Sequence, residues 1–267
     1  MLVDSHCHLD MLSLEETPLE AILDEAAEHG IGHILCVSVS LERFEAMLAL
    51  IGGRPSISAS VGVHPDGVGV AEPEVEDLVA LAAQDPVVAI GETGLDYFRV
   101  EGDTQWQRTR FRRHIRAARS AGKPLIVHTR SAREDTLRLL REENAGEAGG
   151  VLHCFTEDWD MARQALDMNF HISFSGIVTF KNAESLRDVA RKVPTERLLV
   201  ETDAPYLAPV PKRGKENRPA YVRYVAEQVA ALRNVSPEAL AEQTTENFFA
   251  LFRHAAPRRG GDTLARV

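Results

Sequence analysis

The chain has 267 residues, with 30 Lys and Arg against 40 Asp and Glu, a formal charge of −10. With 44% hydrophobic and 26% charged residues it has the composition of a soluble globular protein that buries a large core without covalent staples, and its three cysteines, Cys7, Cys36 and Cys154, exclude a disulfide framework. The acidic balance argues against a protein that coats nucleic acid through general basicity, and the absence of a membrane span or a signal peptide points to the cytoplasm.

Taken in chain order, Val- and Ile-rich runs alternate with segments of helical period. A strand is predicted over 2–8, then a helix over 18–29 that ends at Gly30, placed as a C′ glycine. Strands over 33–40, 57–64, 87–92, 124–129, 149–155, 171–178 and 197–203 alternate with helices over 41–51, 72–84, 104–121, 131–143, 157–168 and 182–192. Helices over 216–232 and from about 237 to 253 complete the pattern, the last opened by Ser236-Pro237-Glu238 as N-cap, first-turn proline and acid. Eight β/α units in roughly 230 residues predict a single-domain (β/α)8 TIM barrel over 1–254, with a flexible tail over 255–267. The alternative, an open doubly wound sheet, would usually carry a glycine-rich loop after its first strand. Here that strand ends in His6-Cys7-His8.

Five of the ten histidines fall at predicted strand ends: His6, His8, His64, His128 and His153. Glu92 and Asp203 do the same. In a barrel these ends converge on one mouth, where active sites sit. His6 and His8 share a strand face because side chains alternate with period two, and paired neutral imidazoles suit Zn²⁺, Mn²⁺ or a similar ion. A lone strand-end histidine is more often a hydrogen-bonded polar residue than a ligand. Four imidazoles (His6, His8, His128, His153) and two carboxylates (Glu92, Asp203) at one mouth are not core packing, because buried groups of this kind are costly without partners. Six candidate metal ligands suggest two ions, with Glu92 on the middle strand placed to bridge them.

The same residues carry a resemblance to the TatD family of metal-dependent hydrolases, within the amidohydrolase-like superfamily. The matching segments are DSHCHLD (4–10), GVHP (62–65), IGETGLDY (90–97), KPLIVHTR (123–130), VLHCF (151–155), SFSG (173–176), ETDAPYLAP (201–209) and RGKENRPA (213–220), so the match runs from residue 1 to about 254. The resemblance implies a TIM barrel with one or two divalent metal ions per subunit and phosphodiester hydrolysis, notably 3′-to-5′ exodeoxyribonuclease activity. Carried over by motif, His6, His8, Glu92 and Asp203 hold one ion, and Glu92, His128 and His153 the second. Zn²⁺ or Mn²⁺ suits histidine-rich ligation, whereas the family's nuclease activity is associated with Mg²⁺. The chain departs from the family at Asn217-Arg218-Pro219, where many members have Asn-Glu-Pro, and no role is carried onto Arg218. Many amidohydrolases bridge their metals with a carboxylated lysine on the fourth strand, where this chain has Glu92.

Within that reading a metal-activated water attacks phosphorus and Asp203 accepts its proton. Glu92 is the shared ligand. His64 is placed to contact the phosphate or leaving group, or to support a ligand, and Glu201 to orient one. Asp4 reads equally as a buried hydrogen-bonded acid. The expected partner is a DNA strand end or another phosphodiester, with Lys212, Arg213 and Lys215 as substrate contacts beside the mouth. No membrane and no obligate protein partner is expected. Arg108, Arg112 and Arg116 line one helix face and read as a solvated outer surface, Tyr97 and Phe98 as either base-stacking or packing residues, and the cysteines, Trp106 and Trp159 as packing residues. Two other functions stay open: metal-dependent hydrolysis of ester or amide bonds, such as aminoacyl-tRNA deacylation, and a non-catalytic metal-binding barrel.

Overall fold

Strict alternation along the strands sorts their side chains into two apolar layers, and that sorting determines the architecture. The computed structural model describes residues 1–100 and 102–255. Its strands are β1 (Leu2–Cys7), β2 (Ile31–Cys36), β3 (Ile57–Val61), β4 (Val87–Asp96), β5 (Leu125–Arg130), β6 (Gly150–Leu152), β7 (Phe170–Phe174) and β8 (Leu198–Val200). They form one parallel sheet in sequence order, the predicted (β/α)8 arrangement. The helices between and after them are α1 (Leu19–Glu28), α2 (Leu41–Ile51), α3 (Val75–Ala82), α4 (Gln105–Ala121), α5 (Arg133–Glu142), α6 (Trp159–Asp167), α7 (Glu184–Lys192), α8 (Val222–Arg233) and α9 (Pro237–Leu251). Among the described residues no helix is long and apolar enough to cross a membrane.

Ile34 and Cys36 of β2, Leu125 and Val127 of β5, and Leu198 and Val200 of β8 join the cluster that packs on the helices. Their neighbours Leu35, Ile126 and Leu199 join an inner cluster with Val3, Val88 and Val151. Phe248 of α9, with Phe252 and Ala255 beyond it, closes that inner cluster. Asn247 of α9 also donates to the carbonyls of Thr195 and Leu198, at the start of β8. The last helix therefore covers the amino-terminal end of the barrel and leaves the carboxyl-terminal end open. Residues 256–267, all but the first of the expected tail, lie outside the described residues.

The seam between β1 and β8 is made differently from the other seven pairings. Asp203 N donates to His6 O (2.9 Å) and His8 N to Ala204 O (2.8 Å). Ser5 Oγ donates to Val200 O (2.9 Å), and the Asp4 carboxylate accepts from Thr202 N (2.8 Å) and Thr202 Oγ1 (2.6 Å). Asp4 is thus a seam residue; burial lifts its carboxyl to about 8 against these bonds.

Strand boundaries differ from expectation and move site residues: His8 lies one residue past β1 and His64 three past β3. β4 runs on to Asp96, because its pairing with β5 continues through Thr93–Val127, Gly94–His128 and Asp96–Arg130. Glu92 and His128 therefore sit inside strands. Gly94 makes this possible: at φ +138° a Cβ would stand 1.9 Å from His128 O. β6 and β8 are only three residues long, so His153 lies one residue past its strand and Asp203 three past, in the left-handed region at φ 58°.

Candidate metal centre

The first-strand histidines point their Nε2 atoms at one another, 3.3 Å apart. His8 Nδ1 donates to Val37 O (2.8 Å), which leaves the His8 Nε2 lone pair facing inward. Glu92 Oε2 is 3.3 Å from His6 Nε2 and 3.7 Å from His8 Nε2, and Asp203 Oδ1 is 3.7 and 3.5 Å from the same two atoms. The two imidazole nitrogens thus stand 3.3–3.7 Å from each other and from one oxygen of each carboxylate. A four-coordinate ion with bonds of about 2.1 Å has its donors about 3.4 Å apart. Converging lone pairs repel unless a cation or proton stands between them, so this donor set fits a divalent ion. Burial favours neutral His6 by lowering its pKa.

The other carboxylate oxygen of Glu92 faces three more imidazoles. Oε1 is 2.8 Å from His153 Nε2, 3.2 Å from His128 Nδ1 and 3.3 Å from His64 Nε2. Each ring is held from behind by a different carboxylate: His64 Nδ1 by Asp66 Oδ1, His128 Nε2 by Asp96 Oδ2 at 3.1 Å, and His153 Nδ1 by Glu201 Oε1 at 3.2 Å. A carboxylate behind an imidazole fixes its tautomer and raises its basicity toward a ligand on the front side. Burial pulls His64 down, but the charges of Glu92 and Asp66 outweigh it and lift the ring to about 9. Burial likewise opposes ionisation of Glu92, and the surrounding imidazoles overcome it, holding the carboxyl well below its usual range. Potential ligand atoms of His64, Glu92 and His128 all lie within 4.8 Å of one another, as do those of His6, His8 and Asp203, and of His6, His153 and Glu201. Within the last trio, buried His6 Nδ1 and Glu201 Oε2 have no hydrogen-bond partner among the described residues. The residues present therefore fit one or two divalent ions: His6 belongs to two of these trios, and Glu92 spans the site with one oxygen toward His6 and His8 and the other toward His64, His128 and His153.

Asp66 and Asp96 were not singled out from sequence. Their signals were weak: Asp66 follows His64 by two residues, and Asp96 lies in the GLDY segment. Glu201 also accepts from Cys154 N (2.8 Å), which pins the turn beyond His153.

These groups form the floor of a cavity of about 620 Å³, and the basic side chains lining it are Arg99 and Arg130. Lys212, Arg213 and Lys215 do not line it. The Lys212 ammonium sits 4.9 Å from the Tyr221 ring centre, and the Arg213 guanidinium 3.9 Å from that of Phe180. Arg218 turns to Glu25 (3.3 Å) and Thr17 (2.9 Å), tying its loop to the start of α1. The expected solvated face of α4 is paired: Arg112 and Arg116 meet Glu143, and Arg112 also meets Glu142. Tyr97 donates to Asp135 (2.6 Å), whereas Phe98 is exposed.

Comparison with known proteins agrees with this geometry. The family model described as TatD related DNase matches residues 3–253. The Escherichia coli metal-dependent hydrolase YcfH is 53% identical over 260 residues, covering 96% of this chain and 97% of that protein. The Salmonella typhimurium 3′-5′ ssDNA/RNA exonuclease TatD is 33% identical over 237 residues, covering 86% of this chain and 91% of that protein. Among solved structures, the E. coli TatD homologue YjjV superposes with a TM-score of 0.86 at 29% identity, covering 94% of this chain and 98% of that one. The chain belongs to the TatD family of metal-dependent hydrolases.

Proposed function

We propose that this protein hydrolyses phosphodiester bonds at DNA strand ends, as a 3′-to-5′ exodeoxyribonuclease of a reducing, cytoplasmic compartment. The reading rests on one observation above all: His8, His64, His128 and His153, each fixed from behind, turn their other nitrogens toward the two oxygens of Glu92. The similarity to the Salmonella exonuclease supports the choice of substrate. His6, His8, Glu92 and Asp203 hold one divalent ion; Glu92, His128 and His153 hold the second, with Zn²⁺, Mn²⁺ or Mg²⁺ as occupants. Ions bound there acidify water and neutralise the charge that builds on the phosphate oxygens.

The chain's own groups do the rest. Asp203, the most exposed of the four converging groups at 14% of its side chain, accepts the proton of the attacking water. The new bond forms at phosphorus and the bond to the leaving sugar oxygen breaks. His64, braced by Asp66, contacts the phosphate or that leaving oxygen. Glu201 and Asp96 keep the His153 and His128 rings in place. Arg99 and Arg130, which line the cavity, receive phosphate at its mouth, and Lys212, Arg213 and Lys215 carry positive charge outside it, on the loop after β8.

The test is a side-by-side measurement on single-stranded DNA, a simple alkyl phosphodiester and an aminoacyl ester, with defined metals and after EDTA. DNA should be the fastest substrate, degraded from its 3′ end, and EDTA should abolish the rate. His128→Ala and Asp203→Asn should each lose about 100-fold or more while circular dichroism is unchanged. A faster rate on the aminoacyl ester would transfer the reading to ester hydrolysis, and unchanged turnover in both variants would end the metal-site assignment.

A further inference from the structure

Phe98 is a large apolar side chain that the fold leaves out in water, 66% exposed. Of the six large apolar side chains exposed among the described residues, Phe98, Val68, Tyr206 and Val210 stand on the loops after β4, β3 and β8 at the barrel's open end, while Met1 and Val235 stand elsewhere. A single exposed apolar residue needs no explanation. Phe98 differs because its position is determined on two sides. The Arg130 guanidinium lies over its ring, 3.9 Å from the centroid, and Arg130 itself lines the cavity. Its backbone is held by the carboxylate that braces His128: Asp96 Oδ1 accepts from Phe98 N (3.0 Å) and Arg99 N (2.8 Å), while Oδ2 reaches His128 Nε2 (3.1 Å). One fully buried side chain therefore sets the spacing between this ring and the histidine cluster.

We infer that Phe98, backed by Arg130, is a stacking platform for an unpaired nucleobase of the strand end, with Arg99 beside it for an adjoining phosphate. The inference rests on the nuclease reading above and names what that site recognises. An aromatic ring that does not itself line the cavity but stacks on Arg130, which does, with Arg99 also lining it, complements a base joined to a phosphate. Arg99 is half exposed and reaches Asp66 Oδ2 (2.7 Å), so its charge stays at the rim. Tyr97, the residue before Phe98, is committed elsewhere, donating to Asp135 (2.6 Å) and accepting from Arg108 (3.1 Å). Every base offers a π-face, so the platform is indifferent to sequence but needs a base that is unpaired. It selects single-stranded ends over blunt duplex ends.

The test uses the metal-loaded protein and single-stranded oligonucleotides whose last three linkages are phosphorothioates, to slow cleavage. 2-Aminopurine is placed at each of the last three 3′ positions in turn. Stacking on Phe98 should quench the fluorophore at one position. Phe98→Leu, which keeps apolar bulk without a π-face, should lose that quenching and weaken binding by about 5- to 100-fold, and Phe98→Tyr should restore both. An abasic site at the same position should cost the wild type a similar factor and the Phe98→Leu variant little. Equal losses on base removal in both proteins would show that Phe98 does not touch the base, which overturns the platform and leaves the nuclease reading in place. A wild type that neither binds nor cleaves these strands overturns both.

Discussion

Asp96 uses its two carboxylate oxygens for different tasks, one on His128 and one on the backbone of Phe98 and Arg99. The side chain has no exposure to solvent, so its charge is sustained by those bonds and by the Arg99 guanidinium, 4.0 Å from Oδ2. Asp96→Asn keeps the shape but replaces one acceptor by a donor, so either the imidazole or the loop amides lose their partner. The expected result is a 10- to 100-fold loss of metal affinity, read by calorimetric titration. Metal binding as tight as wild type would show that this carboxylate does not orient His128. The ligand candidates themselves were legible because strand periodicity and the barrel mouth bring His6, His8, Glu92, His128, His153 and Asp203 together on paper. Asp66 and Asp96 were not, because an acid behind a histidine matters only once it is known which ring nitrogen faces the site. Periodicity does not encode that.

At the scale of elements, α4 supports the site through what it buries. Arg108, Arg112 and Arg116 read as its outward face, and Arg110 falls off that face. Arg110 instead turns inward, 1% exposed, and donates to His64 O (2.9 Å), Gly67 O (2.9 Å) and Glu72. One turn on, His114 accepts from Val63 N (3.0 Å) and donates to Arg110 O (2.9 Å). Helix and loop are joined through a neutral imidazole, and burial depresses its pKa to about 4. Burial depresses His33 and His171 to about 4 as well. In each case the folded pKa lies below the unfolded value, so the unfolded chain binds more protons and stability rises with pH. The contribution is complete above about pH 6.5 and is lost as pH falls toward 4, by up to about 3 kcal/mol per histidine. Urea denaturation at pH 7 and near pH 4.5 should show this loss, and His114→Gln, which can still accept from Val63 N but does not titrate, should show a smaller one. An equal loss in that variant would remove His114 from the account. The same element explains a missed boundary: the strand before α4 was expected to stop at Glu92, but Gly94 lets β4 continue against β5, a close approach that hydropathy does not register.

For the whole molecule, eight alternating units were enough to read the barrel, since short parallel strands separated by amphipathic helices have few other ways to bury both faces. The plug made by α9 was not readable. Its hydrophobic pattern says that a face is buried, and only the closed barrel says that Phe248 and Phe252 enter the lumen. Net charge needed the same correction of scale. The −10 average looked unfavourable for a polyanionic substrate, yet Glu142 of α5 and Glu143 just beyond it pair with arginines of α4, and the cavity presents Arg99 and Arg130. If those two side chains make the phosphate contacts, about 0.7 counterions are released per contact on a single strand, and the slope of log affinity against log salt is about −1.4. If Lys212, Arg213 and Lys215 also engage, it steepens to about −3.5. Oligonucleotide binding measured between about 50 and about 200 mM salt therefore separates a grip on one strand end from a longer track. A slope steeper than about −4 would need more phosphate contacts than these five side chains can make, and the local-binding view would fall.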